Sequence, residues 1–378
     1  MDTTRFFNEL ETLVNTDSGS SDVEGVIRVA DILETLYKEA GLHVSRVELD
    51  QEKRPFLVAT SKSSEELKTK EKPYDVLFIG HMDTVFSEGT AEKRPFTIED
   101  GKVKGPGAAD MKAGNLMALY LIKELKEEYP EKCFAIANNP DEELGSPYSW
   151  ERIIEEGKKA RYGFDMEPGR ITGNFVKERK GCQDYRVYIH GIASHAGNAP
   201  DKGASAIKEL ARWIDLCDEL NNSSPGLNVN PGLVSGGTAT NVIADYAELG
   251  IDVRILDYSQ MEMVEKAFDE LAKNPRVPGV TSEWKKLSDM PPMKLTPETQ
   301  HMVDIIMEEG EKLNYPFEFE SAGGSSDASF VSGAGTPIVD ACGPHGEGLH
   351  GDGEYFLYDT VEKRFQLLKK VIKRLLEE

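Results

Sequence analysis

Compact apolar runs alternate with helical patterns in the first half of the chain, and this alternation restricts the fold more than any other feature. The runs at 74–79, 133–137 and 162–166 have the length and composition of buried strands. Helical spacing predicts helices over 115–128 and 148–156 between them. Strand, loop, helix and strand in this order predict an α/β domain with a mostly parallel central sheet flanked by helices.

The pattern changes near residue 178, where strict alternation of apolar and polar residues over 184–190 predicts a half-exposed antiparallel strand. The order β-α-β-β-α-β that follows predicts an inserted α+β domain of ferredoxin-like type. We therefore predict a discontinuous domain of residues 1–178 and 293–378, interrupted by a second domain at 179–292. The helices of the insert are predicted at 204–220 and 259–273, and its further strands at 227–234, 247–256 and 279–286.

Two polar segments are predicted to be loops. The segment 61–72 is charged and reads as a solvated loop or hairpin tip, and the segment 86–107 is rich in charge, Gly and Pro and reads as one long loop. Loops of the second length are usually functional or mobile.

Charge and cysteine usage exclude several classes of protein. The net charge of −23 disfavours binding to nucleic acid or to anionic membranes. The four cysteines include no C-x-x-C pair, which excludes a zinc ribbon and predicts buried free thiols in a reducing compartment. The N-terminus lacks a signal-peptide pattern, and no apolar run approaches 18 residues. We therefore expect a cytoplasmic protein.

Polar clusters follow the predicted strands at the point where each strand ends, and one more lies in a glycine-rich loop before a helix. In open α/β sheets the ligand crevice lies at the carboxyl ends of the strands, so these side chains should meet at one edge. The clusters are His81/Asp83, Glu142/Glu143, Glu167 and His345/His350 after apolar runs, and Asp110 in the loop.

This set of side chains is suited to metal chemistry. Imidazoles and carboxylates without thiolates favour zinc and related divalent ions, and one carboxylate could bridge a pair of ions. Two such ions generate hydroxide and polarise a carbonyl or phosphoryl oxygen, and one of the paired glutamates would be free to act as general base. Each cluster alone has a simpler interpretation, since 141–143 could be a solvated turn and Asp110 a helix N-cap. Their shared placement at strand ends favours the metal site.

Nine short motifs, distributed over most of the chain, resemble those of the zinc-dependent M20 peptidase family. This family includes glutamate carboxypeptidases, aminoacylases, acetylornithine deacetylase, succinyl-diaminopimelate desuccinylase and tripeptidases, and the resemblance runs from about residue 5 to the C-terminus. The motifs are GHMDTVF at 80–86, GPGAADMK at 105–112, DEELGS at 141–146, MEP at 166–168, ASHAG at 193–197, NVI at 241–243, DVR at 252–254, GSSD at 324–327 and LH at 349–350.

The resemblance implies a site for two Zn²⁺ ions, with Co²⁺ or Mn²⁺ as alternative occupants. Asp110 would bridge the ions, and a cis peptide bond would follow it. His81 and Glu167 would complete one half of the site, and Glu143 and His350 would complete the other.

The resemblance also assigns roles around the ions. Asp83 would accept the second N–H of His81, and Glu142 would be the general base that later protonates the leaving amine. Asp165 competes with Glu167, and the Glu-Pro context favours Glu167. His345 competes with His350, and the acidic residues that soon follow favour His350.

The inserted domain would be a lid and dimerisation domain. By the resemblance, His195 would stabilise the oxyanion in the partner subunit, Asn241 and Arg254 would bind the α-carboxylate of the substrate, and Gly324 would make a backbone contact. The implied activity is cleavage of a peptide or N-acyl amide next to an amino acid with a free α-carboxylate, as in glutamate carboxypeptidases, and the implied assembly is a homodimer. An N-acyl-amino-acid deacylase is the alternative, and a two-metal phosphoesterase is a distant one.

Overall fold

The computed structural model describes residues 1–68 and 71–378. The chain forms two compact units. The first unit comprises Met1–Glu178, Met293–Ala322 and Ser326–Glu378, and the inserted unit comprises Arg179–Pro292 and Gly323–Ser325. Among the described residues, no helix is long and apolar enough to span a bilayer. All four cysteines are free thiols, and three of them are buried.

The helices and strands follow one another along the chain with short connections. The helices are α1 (Thr3–Val14), α2 (Val23–Glu39), α3 (Ser64–Leu67), α4 (Thr90–Lys93), α5 (Ala113–Glu128), α6 (Trp150–Lys158), α7 (Ala206–Leu220), α8 (Tyr258–Lys273), α9 (Pro297–Lys312), α10 (Ala328–Gly333) and α11 (Thr360–Glu377). The strands are β1 (His43–Glu48), β2 (Pro55–Thr60), β3 (Tyr74–His81), β4 (Thr97–Glu99), β5 (Lys102–Lys104), β6 (Phe134–Asn139), β7 (Ala160–Asp165), β8 (Phe175–Arg179), β9 (Gly181–His190), β10 (Ser194–His195), β11 (Asn228–Gly236), β12 (Val242–Ile243), β13 (Tyr246–Ile255), β14 (Thr281–Met290), β15 (Phe319–Ala322), β16 (Ile338–Val339), β17 (Gly346–Glu347) and β18 (Tyr355–Leu357).

The first unit is built around a central sheet of strand order β1-β2-β6-β3-β7-β16. Strands β6, β3, β7 and β16 are parallel, whereas β1 and β2 add an antiparallel edge. The central strands β3 and β6 are buried along almost their whole length, which explains their continuous apolar sequence. The predicted α/β class with a mostly parallel sheet is confirmed. Its carboxyl edge brings together the residues that follow β3, β6 and β7.

Helices α5 and α11 contribute to the same core. The first ten residues of α5, 113–122, are all buried, so this part of the helix packs on all sides rather than along one stripe. Helix α11 is amphipathic and buries Val361, Phe365, Leu368 and Ile372. This core fixes the segment from the end of β3 to the start of α5, which carries three candidate site residues, His81, Asp83 and Asp110.

The prediction of one long loop at 86–107 is wrong. This segment contains helix α4 and the hairpin β4–β5, which continues through β18 into a four-stranded sheet of order β17-β18-β5-β4. The hairpin turns at Asp100 and Gly101, both of which have positive φ values. The predicted loop 61–72 contains the one-turn helix α3, and its residues 69 and 70 lie outside the described residues.

The inserted unit is a four-stranded antiparallel sheet of order β11-β13-β9-β14 with α7 and α8 packed on one face. Its element order is β-α-β-β-α-β, which is the predicted ferredoxin-like arrangement. The buried face alternates with an exposed face along β9, as the sequence predicts. The rings of Trp213 and Phe268 meet in the core with centroids 5.6 Å apart, one from each helix.

Candidate metal centre

His81 is the last residue of β3 and is almost completely buried, with 1% of its surface exposed. Its Nδ1 atom lies 3.0 Å from the main-chain oxygen of Asp83 and 3.3 Å from the Asp83 carboxylate. Its Nε2 atom lies 3.2 Å from Asp110 and 3.5 Å from Glu167. Because Glu167 follows the neighbouring parallel strand β7, the sheet itself brings these two groups together.

Asp83 connects this histidine to the turn that follows β6. Its carboxylate accepts the Ser20 hydroxyl at 2.7 Å and the N–H groups of Glu142 and Glu143, each at 3.2 Å. The carboxylate therefore holds the His81 ring and the start of the short 3₁₀ helix Glu142–Leu144 in one network. Asp83 therefore supports the cluster through these contacts and is not itself one of the groups that face each other in it.

Asp110 lies between two histidines. Its Oδ1 atom is 3.2 Å from His81 Nε2, and its Oδ2 atom is 3.3 Å from His350 Nε2. The predicted cis peptide bond after Asp110 is confirmed. His350 has a φ of +62° and lies 3.2 Å from Glu143 through the same Nε2 atom. One carboxylate thus faces both halves of the cluster.

Two sets of three side chains have donor atoms that lie within 4.8 Å of one another. One set is His81, Asp110 and Glu143, and the other is His81, Glu142 and Glu167. Burial, together with neighbouring carboxylates, raises the pKa of Glu142 and of Glu167 well above the usual range. Hydrogen bonds from His350 to the carboxylates of Asp110 and Glu143 raise the pKa of His350 to about 10. Without metal, the protein therefore stabilises the ionised forms of Glu142 and Glu167 poorly, and bound cations would stabilise them.

Spacing and charge in the cluster fit divalent ions. Ligand atoms bound about 2.0–2.1 Å from a tetrahedral zinc ion lie roughly 3.3–3.4 Å from one another. The four contacts between histidine nitrogens and carboxylate oxygens at Asp110, Glu143 and Glu167 span 3.2–3.5 Å. Among the described residues, no lysine or arginine forms an ion pair with these carboxylates. Apart from the imidazoles of His81 and His350, whose pKa values are raised, positive charge at the cluster would have to come from bound metal.

The two competing residues lie in other surroundings. His345 is buried, and Tyr315 contacts its Nε2 atom through the phenolic hydroxyl. Burial, with Arg364 nearby, lowers the pKa of His345 to about 3, so the ring is neutral. Asp165 accepts the Ser326 hydroxyl at 3.0 Å. The structure places His350 and Glu167 in the cluster instead.

Two candidate residues of the inserted unit lie on its small β10–β12 sheet and the adjoining loop. His195 is exposed, and its Nδ1 atom accepts the N–H groups of Gly197 and Asn198, both at 3.1 Å. The neutral ring must then carry its proton on Nε2. Asn241 is exposed, and its main-chain oxygen accepts the N–H of Ala196 at 2.9 Å. The substrate-binding roles of both residues remain predictions.

Arg254 and Gly324 also belong to the inserted unit. Arg254 forms a bidentate pair with Asp252, in which both nitrogen–oxygen distances are 2.9 Å. The main-chain oxygen of Gly324 accepts a hydrogen bond from Arg179 at 3.0 Å. Their substrate-binding roles also remain predictions.

Sequence reasoning missed several supporting residues. Ser20 binds Asp83 from the α1–α2 connection, and no motif marks it. Ser146 donates to Asp327 at 2.5 Å at the end of the turn that carries Glu142, and burial raises the pKa of Asp327 to about 7. Asp327 was visible only as the last residue of the GSSD motif.

Fold and cluster together define a metal-dependent hydrolase. A model of Peptidase family M20/M25/M40 matches residues 77–374, and the chain belongs to this family, as the motifs predicted. Carboxypeptidase G2 of Pseudomonas sp. (strain RS-16) is 30% identical over 372 residues, which cover 96% of this chain and 87% of that protein. Succinyl-diaminopimelate desuccinylase of Delftia acidovorans (strain DSM 14801 / SPH-1) is 27% identical over 327 residues, which cover 80% of this chain and 81% of that protein.

Solved structures share the fold over the whole chain. The crystal structure of aminopeptidase PepT from Bacillus cereus ATCC 10987 superposes with a TM-score of 0.77 at 24% identity, covering 100% of this chain and 99% of that one. The M20 family metallo-carboxypeptidase Sso-CP2 from Sulfolobus solfataricus gives a TM-score of 0.72 at 18% identity, with 100% of both chains covered. At these identities the likeness establishes the fold. The prediction of an M20-type metallopeptidase or amidohydrolase is confirmed by the family match.

Proposed function

We propose that this hydrolase uses two Zn²⁺ ions to cleave a peptide or N-acyl amide bond next to an amino acid with a free α-carboxylate, in the manner of a glutamate carboxypeptidase. The observation that carries the proposal is the position of Asp110, whose two oxygens lie 3.2 Å from His81 and 3.3 Å from His350. A carboxylate so placed is suited to bridge two ions. The 30% identity to a carboxypeptidase supports the reaction type.

The residues of the cluster are proposed to form two metal sites that share Asp110. His81, Asp110 and Glu167 would hold one ion, and Glu143 and His350 would complete the other with Asp110. When bound, the ions supply Lewis acidity and lower the pKa of water in the site.

Glu142 provides the proton chemistry. It takes the proton of the attacking water on its carboxylate and delivers it to the leaving amine. Its main chain is held by Asp83, which also fixes the tautomer of His81.

The inserted unit would bind the rest of the substrate. Arg254 and Asn241 are proposed to hold the α-carboxylate, and His195 the oxyanion. The pair with Asp252 keeps the guanidinium of Arg254 in a fixed orientation, which favours bidentate recognition of a carboxylate. Gly324 would contribute a backbone contact.

We also propose a cytoplasmic homodimer that forms through the inserted unit. Strand β11 lies at one edge of its sheet and exposes Leu233 and Val234 by 62% and 57%. Exposed aliphatic residues on an edge strand favour pairing with another chain. The four free cysteines are consistent with a reducing compartment.

A substrate panel tests the reaction and its main alternative. The relationship to a desuccinylase favours an N-acyl-amino-acid deacylase as the second candidate. Dipeptides with C-terminal glutamate, N-acetyl and N-succinyl amino acids, and the carboxamide of each substrate would be compared with Zn²⁺ present. The proposal predicts kcat/KM at least about 100-fold lower for each carboxamide, because the charged partner of Arg254 is lost. Equal rates, or faster hydrolysis of nitrophenyl phosphate, would contradict it.

A further inference from the structure

Glu354 is a buried carboxylate that the proposed chemistry leaves unused, with 2% of its surface exposed. It accepts three main-chain N–H groups, from Gly107 at 3.3 Å, from Ala109 at 2.9 Å and from Asp110 at 3.2 Å. All three donors belong to the glycine-rich segment 105–112, which presents Asp110 to the two histidines.

Burial and the nearby Asp110 raise the pKa of Glu354 to about 7, and these three hydrogen bonds act in the opposite direction by stabilising its ionised form. Among the described residues, no lysine or arginine forms an ion pair with Glu354, although Lys112 lies close enough to act on it through space. Hydrogen bonds to an ionised acceptor are shorter and about twice as strong as neutral ones. The carboxylate therefore fixes the main chain on the N-terminal side of the Asp110 Cα atom.

Glu354 also belongs to the segment that carries His350. In the intervening turn, the N–H of Glu354 binds the main-chain oxygen of Gly351 at 3.2 Å. Lys112 donates to the main-chain oxygen of Thr16 at 2.9 Å, which gives the 105–112 segment a second attachment, and to that of Pro106 within the segment at 3.4 Å.

We propose that Glu354 is a positioning residue that couples the two halves of the site. Its carboxylate holds the Asp110 segment against the His350 segment, so that the two oxygens of Asp110 face both histidines. This inference rests on the proposed metal centre for its consequence. Its structural half, that the carboxylate fixes segment 105–112, can be tested without metal.

The first measurement is hydrogen exchange in the metal-free full chain. Glu354→Gln keeps the size of the side chain but replaces one oxygen with an amide nitrogen that opposes the N–H groups. Exchange of the peptide that covers 105–112 should become roughly tenfold faster, while the β6 peptide is unchanged. Asp352→Asn is the matched control, because it makes the same charge change two residues away on a side chain that is 96% exposed. Unchanged exchange at 105–112 overturns the proposal.

The second measurement is Zn²⁺ affinity by competition with a chromogenic chelator. Glu354→Gln should bind roughly 10- to 100-fold more weakly, and Asp352→Asn within about threefold of the native chain. Faster exchange with unchanged affinity overturns the coupling of the two halves. If the native chain binds no Zn²⁺, the proposed function fails, while the exchange result still decides whether Glu354 holds the segment. If Glu354→Gln does not fold, Glu354→Asp is measured with the same outcomes.

Discussion

Asp83 contacts both His81 and the N–H groups of Glu142 and Glu143, and the substitution Asp83→Asn tests this connection. Its Oδ1 atom accepts the N–H of Glu142 at 3.2 Å and lies 3.3 Å from His81 Nδ1, while Oδ2 accepts the N–H of Glu143 at 3.2 Å. The side-chain amide of asparagine has one oxygen and one nitrogen, so the nitrogen must replace either Oδ1 or Oδ2 and face the partners of that atom. Placing the nitrogen at Oδ2 costs least, because the Ser20 hydroxyl there can turn to accept. The N–H of Glu143 then loses its acceptor.

The lost hydrogen bond sets the size of the effect. Hydrogen bonds to charged groups contribute about 1.5–3 kcal/mol, which corresponds to roughly 10- to 100-fold in a dissociation constant. Because Glu143 lies 3.2 Å from His350, the weakening should fall on the ion that these two residues are proposed to hold. Stepwise titration of Zn²⁺ against a chromogenic chelator measures both dissociation constants.

Ser20→Ala is the matched control for this substitution. It removes the hydroxyl bond to Asp83 at 2.7 Å but leaves both N–H bonds in place. Its Zn²⁺ affinities should stay within about threefold of native values. The reasoning is refuted if Asp83→Asn binds both ions as tightly as the native chain, or if Ser20→Ala weakens binding to the same extent.

Three further predictions follow from the same geometry. Glu142→Gln should keep both metal ions by elemental analysis yet lower kcat roughly 10²- to 10⁴-fold, because the proton acceptor is lost; native turnover would contradict the assignment. Removing metal with a chelator should lower the free energy of unfolding by about 4 kcal/mol for each of the two proposed ions, relative to protein with free Zn²⁺ at 1,000 times the dissociation constant of that site, as measured by urea denaturation. His345 stays neutral in the folded chain down to about pH 3, whereas in the unfolded chain it binds a proton below about pH 6.5. Protonation of the unfolded chain at this residue therefore lowers the free energy of unfolding by about 2 kcal/mol between pH 7 and pH 5. His345→Gln should therefore lose about 2 kcal/mol less than the native chain over that range, and equal losses would disprove the neutral histidine.

The sequence predicts the fold and the gathering of polar groups for one physical reason. His81 ends one strand of the parallel part of the sheet, Glu142 and Glu167 follow its two neighbours, and the carboxyl ends of such strands meet at one edge. Local patterns therefore carry information about a tertiary arrangement. The β-α-β-β-α-β order of the inserted unit is readable in the same way, because its helices and half-exposed strands have clear periods.

Supporting contacts could not be read in this way. Ser20 binds Asp83 across 63 positions of sequence, and Glu354 binds the N–H of Asp110 across 244. The partners of Glu354 are main-chain groups, which every residue type except proline offers, so no side-chain pattern marks them. Only the folded chain shows which buried carboxylate reaches which segment.

The missed hairpin in 86–107 has a similar cause. Strands β4 and β5 have three residues each, which is too short for an alternating pattern to be recognised. Their sheet is completed by β18, which pairs Tyr355 with Lys104 from a distant part of the chain. Pairing between remote segments decides the structure here, and local composition resembles that of a loop.

The central claim is that one carboxylate bridges two metal ions, and a crystal structure of the Zn²⁺-loaded protein with anomalous scattering at the zinc edge tests it most directly. The account predicts two anomalous peaks about 3.5–4 Å apart. Asp110 should contact both, with His81 and Glu167 at one and Glu143 and His350 at the other. A single peak, or two peaks without Asp110 between them, would contradict the account.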